Sequence, residues 1–78
     1  MQLEEAVKMR ILELCKERNI TVNKLANLSG VYQSTINNVL LGFSKSPKLT
    51  TLNNICFGLG IKLKDFFDSP IFDELEDK

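Results

Sequence analysis

Residues 21–42 read TVNKLANLSGVYQSTINNVLLG and constrain the chain more than any other stretch. Val22, Leu25, Ala26 and Leu28 recur at helical spacing, and so do Ile36, Val39 and Leu40. Apolar residues three and four apart share one helix face, so each set predicts a short amphipathic helix. Ser29, Gly30 and Val31 lie between the two and leave no room for a long loop. Two helices joined so tightly through a glycine must cross sharply, as in a helix-turn-helix. The second helix carries Gln33, Ser34, Thr35, Asn37 and Asn38 off its apolar stripe. Uncharged hydrogen-bonding side chains at the start of a helix suit the base edges of a DNA groove.

Charge supports that expectation only when it is read along the chain. The formal net charge is zero, yet 19–64 holds no Asp or Glu while carrying Lys24, Lys45, Lys48, Lys62 and Lys64, a net +5. From Asp65 onward, Asp65, Asp68, Asp73, Glu74, Glu76 and Asp77 stand against Lys78, a net −5. The first 18 residues balance. An acid-free basic middle suits a polyanion, and an acidic tail suits the side facing away from it.

The flanking sequence predicts support for the central pair. Leu3 to Arg18 forms a first helix with Leu3, Val7, Ile11, Leu14 and Cys15 on one stripe. Asn19 ends it in the left-handed conformation, Ile20 folds onto the core, and Thr21 caps the second helix, about 22–28. Gly30 supplies the left-handed turn residue and Val31 plugs between the helices. The third helix, about 33–41, ends at Gly42, also expected to be left-handed. Residues 43–48 form a loop, with Pro47 opening the way to a fourth helix over 49–59, its inner face Leu49, Leu52, Ile55, Cys56 and Leu59. Gly60 caps it and Ile61 re-enters the core. A fifth helix over 63–67 points Leu63, Phe66 and Phe67 inward. The whole is a compact all-α domain of five helices over 1–67. It is followed by an acidic tail, 68–78, whose Ile71, Phe72 and Leu75 could dock as a short sixth helix, pair with another copy, or fray.

Together these segments resemble the lambda-repressor-like, Cro/CI-type helix-turn-helix family. The resemblance covers about Ile11 to Phe67 and rests on Leu25-Ala26, Gly30, Gln33-Ser34-Thr35-Ile36, Gly42, Pro47, Thr51-Leu52 and Leu59-Gly60-Ile61 taken together. It implies that the helix from Gln33 is the recognition helix, with Tyr32, Gln33, Ser34, Asn37 and Asn38 at base edges or adjacent phosphates. It also implies backbone phosphate contacts from Thr21, Asn23, Ser44, Lys45 and Lys48. The chain looks like a small stand-alone bacterial or phage regulator: a repressor of transcription, acting as a homodimer on a palindromic operator in double-stranded DNA. Two departures stand out. Many members pair an Arg in the first helix with a Glu late in the recognition helix, and this chain has Cys15 and Leu40 there. Replacing a buried ion pair by apolar residues is often neutral or stabilising, so Cys15 and Leu40 are expected to meet. The recognition helix also lacks Arg and Lys, which lowers the expected affinity of one subunit and favours a dimer on half-sites about 34 Å apart.

Other functions find less in the sequence. There is no His, no CxxC spacing, no phosphate-binding loop and no nucleophile beside a base, which argues against an enzyme, a metal centre or a cofactor. Cys15 and Cys56 read as small buried hydrophobes; a disulfide between them is disfavoured in a reducing compartment. No apolar run approaches a membrane span and MQLEEAV does not resemble a signal peptide, so a cytoplasmic protein, on the nucleoid when bound, is expected. No small-molecule effector site is apparent. The alternative is a protein-interaction module that keeps this fold without binding DNA.

Overall fold

The computed structural model describes residues 1–42 and 47–76, in which five α-helices and a terminal 3-10 helix follow one another without a strand. They are α1 (Leu3–Glu17), α2 (Val22–Ser29), α3 (Gln33–Leu40), α4 (Leu49–Leu59), α5 (Leu63–Phe67) and the 3-10 helix Pro70–Glu74. One core unites them, built from Val7, Ile11, Leu14, Cys15, Leu25, Ala26, Ile36, Val39, Leu52, Ile55, Cys56, Leu59 and Phe66. Cys15 belongs to this core, and the half-buried Leu40 packs against it. Among the described residues no helix is long and apolar enough to cross a membrane.

Two helix ends repeat one device. Asn19 takes a positive φ of 54°, and the Ile20 N–H bonds back to the Cys15 carbonyl at 3.0 Å. Gly60 takes φ 74°, and the Ile61 N–H bonds back to the Cys56 carbonyl at 3.0 Å. Each left-handed residue turns the chain so that the isoleucine after it packs onto the core. Carbonyls at the ends of α4 and α5 are satisfied from α1 and its C-cap residue, Arg18. Arg18 Nε donates to Leu59 O at 2.9 Å, while Arg10 donates to Phe66 O at 2.7 Å and Asp65 O at 2.8 Å. Arg10 also pairs with Glu13 at 2.6 Å. A cation on the carbonyl end of a helix meets both its orphan acceptors and its dipole.

The inner faces differ from the sequence expectation at several positions. Leu28 is 44% exposed, and Ser29 takes the buried place instead. The reason is spacing: 22, 25, 26 and 29 complete the i, i+3, i+4, i+7 stripe, and 28 falls beside it. Leu3 and Leu49 are exposed rather than inward, because each sits in the first turn of its helix beyond the edge of the core. Both line a hollow of about 140 Å³, with Val7, Pro47, Leu52 and Phe67. Ala6, unassigned from the stripe, is fully buried. Phe67, expected inward, is 39% exposed, its ring lying edge-on to Phe66 at 5.1 Å and to Phe72 at 5.0 Å.

The tail docks. Its 3-10 helix packs along α1, with Ile71 and Phe72 half-buried and Leu75 exposed. The Glu76 N–H donates to Met1 O at 2.8 Å, and the Met1 ammonium donates to Glu74 O at 3.1 Å.

Candidate nucleic-acid interface

The placement of α3 begins with a close approach between α2 and α4. A Cβ on Gly58 would lie 2.8 Å from Ser29 N and 2.9 Å from Ser29 Cα, so only glycine lets the end of α2 sit on α4. The chain then reverses through Gly30, at φ 72°, whose N–H bonds to Ala26 O at 3.0 Å. Ser29 Oγ donates to Ala26 O and accepts from Val31 N, so the buried hydroxyl joins both sides of the turn. Val31 packs half-buried against the core, as expected, and Ile36 and Val39 anchor α3 from beneath. These contacts leave α3 one face for solvent.

That face is the expected one. Gln33, Ser34 and Asn38 are exposed, Asn37 is half-buried, and Tyr32 is 83% exposed at the N-cap. At about 100° per residue, 33, 37, 34 and 38 fall within an arc of roughly 140°, with buried 36 and 39 opposite. None of these side chains has a hydrogen-bond partner among the described residues. α3 also opens without a capping side chain; the Thr35 N–H bonds to Tyr32 O at 3.0 Å, and the Gln33 and Ser34 N–H groups have no partner among the described residues. Leu41 belongs to the same arc, i+4 from Asn37 and i+3 from Asn38, and is 66% exposed. Those spacings were the signal that places it beside the amides.

Thr21, Asn23 and Lys48, three of the five residues expected at phosphates, lie at helix starts. Thr21 caps α2, its Oγ1 accepting from Lys24 N at 3.0 Å, which leaves the hydroxyl proton for another acceptor. Asn23 Oδ1 accepts from Asn27 Nδ2 at 3.3 Å, which leaves the Asn23 NH₂ as donor. Asn27 carries no assigned role in the sequence reading, although an i, i+4 amide pair is legible there. Lys48 is the exposed N-cap residue of α4. Ser44 and Lys45 lie outside the described residues. Among the described residues no cluster of His, Cys, Asp or Glu could hold a metal ion. Both cysteines are free and buried, and burial pushes each thiol above its ordinary range.

Comparison with known proteins adds two matches. The family model for the Cro/C1-type HTH DNA-binding domain matches residues 10–70. A crystal structure of the prophage Lp1 protein 11 is similar at a TM-score of 0.82 and 41% sequence identity, over 96% of this chain and 100% of that one. No curated protein matches.

Proposed function

The chain belongs to the Cro/C1-type helix-turn-helix DNA-binding family, and on that premise we propose that it is a sequence-specific transcriptional repressor reading double-stranded DNA in the major groove with α3. The observation that carries this reading is the α3 arc, an uncharged hydrogen-bonding face without a partner among the described residues. Gln33, Ser34, Asn37 and Asn38, with Tyr32, take base edges. Thr21, Asn23, Ser44, Lys45 and Lys48 take phosphates, which position the domain without reading sequence. The role is binding, not catalysis. With no Lys or Arg in α3, one subunit binds modestly, so two copies act together on a palindromic operator. Occupancy of a promoter by such a dimer represses by exclusion, in the cytoplasm on the nucleoid.

Selection of bound duplexes from a random pool tests this directly. The expected product is a palindrome with half-sites about 34 Å apart; failure to enrich any sequence removes specific readout. Two variants then separate the roles. Gln33→Ala should relax one base position at a cost of about 1–3 kcal/mol. Lys45→Ala should weaken all duplexes alike and reduce the salt slope by about 1. Equal loss across sequences for both takes Gln33 out of base readout. A protein-interaction role draws on Phe57, 79% exposed, and Leu41; it gains if no duplex is bound at low salt.

A further inference from the structure

The outer side of α1 carries a stripe of its own. Glu5, Met9, Leu12 and Lys16 are all exposed and stand at i, i+4, i+7 and i+11. At about 100° per residue they fall within an arc of roughly 60°, on the side away from buried Val7, Ile11 and Leu14. Alternating spacings of four and three are those of the seam between paired helices. A single exposed leucine or methionine is ordinary on a surface. Here Met9 and Leu12, at 41% and 43% exposure, lie one turn apart and line one hollow with Ile71 of the docked tail, Glu13 and Lys16. The ends of the stripe carry opposite charges. Neither the Glu5 nor the Lys16 side chain has a partner among the described residues, whereas Glu13 on the flank is held by Arg10.

This pattern complements itself in one orientation. Two such helices laid antiparallel, about a twofold axis midway between Met9 and Leu12, set Met9 against Leu12 of the second copy and Glu5 against its Lys16, each contact made twice. Laid parallel in register, they would oppose Glu5 to Glu5 and Lys16 to Lys16, which repel. The antiparallel arrangement also aligns the two helix dipoles head to tail. The tail runs from Ile71 in the hollow to Glu74 and Glu76 at Met1, so its acids stand at the end of α1 that Lys16 of the second copy reaches.

We propose that the exposed stripe of α1 is a self-association surface, which binds a second copy of this chain with the two α1 helices antiparallel. It shares no residue with the α3 arc or with the positions expected at phosphates, and it forms without DNA. One helix pair falls short of the roughly 1,200 Å² at which standard interfaces begin, so the association is weak and reversible.

Sedimentation equilibrium of the full chain without DNA, from about 10 μM to about 1 mM, tests this. The expected result is a monomer–dimer equilibrium. Glu5→Lys and Lys16→Glu each turn two attractions into two repulsions and should weaken association about fivefold or more. An equal mixture of the two variants should restore it, because each opposed pair in the mixed dimer is again Lys against Glu. The double variant, Glu5→Lys with Lys16→Glu, should pair with itself as the natural chain does. Leu12→Ser should weaken association without changing any charge. All these positions are exposed, and circular dichroism melts establish that each variant is folded. A chain that stays monomeric throughout overturns the proposal and leaves the stripe to solvent or to another protein. Association that persists in both single charge variants, or that neither mixing nor the double variant restores, overturns the antiparallel pairing. Association lost in Phe57→Ser but kept in Leu12→Ser overturns it in favour of a contact on α4.

Discussion

Gly58 lies inside α4, where Ala would be the better helix former, yet a Cβ there would press to within 2.8 Å of the Ser29 backbone. Gly58→Ala should therefore destabilise by about 1–3 kcal/mol, as overpacking does. In a domain of this size each kcal/mol lowers the thermal midpoint by about 4–8 °C, so a scan measures it directly. An unchanged midpoint would mean that α2 and α4 separate at little cost. Gly30 is constrained differently: its Cβ would meet nothing within 4 Å, but its φ of 72° belongs to the left-handed region. The cysteines make a second residue-scale prediction. Burial raises both thiols above their ordinary range; Arg18 partly opposes this at Cys15, and at Cys56 Arg10 opposes it while Asp65 adds to it. The folded state thus holds these protons more tightly than the unfolded chain. The associated stability is complete below the ordinary thiol range and is lost as pH climbs through the raised folded values. Denaturant titrations above about pH 9 should show that decline, and Cys15→Ala with Cys56→Ala should flatten it.

The working element is α2, its turn and α3. The Thr21 hydroxyl serves it twice, as the N-cap of α2 and as an expected phosphate donor. Thr21→Ala should cost about 0.5–2 kcal/mol of stability. Thr21→Asn should keep the cap and isolate the effect on DNA affinity; if stability falls equally in both, the cap is not what Thr21 supplies. The boundaries of this element were legible because capping and turn chemistry are local: Thr21, Gly30 and Gly42 all behave as their residue types demand. Its buried face was less legible. Spacing puts 29 rather than 28 on the inner stripe, but that a serine is closed over there depends on α4 approaching through Gly58, and no local preference announces a glycine about thirty residues away. Leu3 and Leu49 show the same limit, since periodicity gives the face of a helix and not how far the core extends along it.

At the scale of the whole molecule, charge is arranged by docking as much as by sequence. The acidic 3-10 helix lies along α1, with its backbone tied to Met1. The acid-free span supplies α2, α3 and α4. If Lys45 and Lys48 of two subunits neutralise about four phosphates, log K should fall with log salt at a slope of about −3.6, roughly 150-fold between 50 and 200 mM. A slope near zero would remove the lysines from phosphate contact, and a slope half as steep would point to one subunit per site.

The sequence by itself determined the all-helical class, the helix-turn-helix, the left-handed ends at Gly30 and Gly60, and the uncharged face of α3. Periodicity, capping and turn conformation act within a few residues and can be read in order. Tertiary structure decided what depends on distant neighbours: that Gly58 admits Ser29, that Arg18 and Arg10 meet carbonyls 41 and 56 residues away, and that the tail lies on α1. The two arginines show why the distinction matters. In the sequence they are two unassigned cations of the first helix. Only the carbonyls they meet in space show that both help to close helix ends.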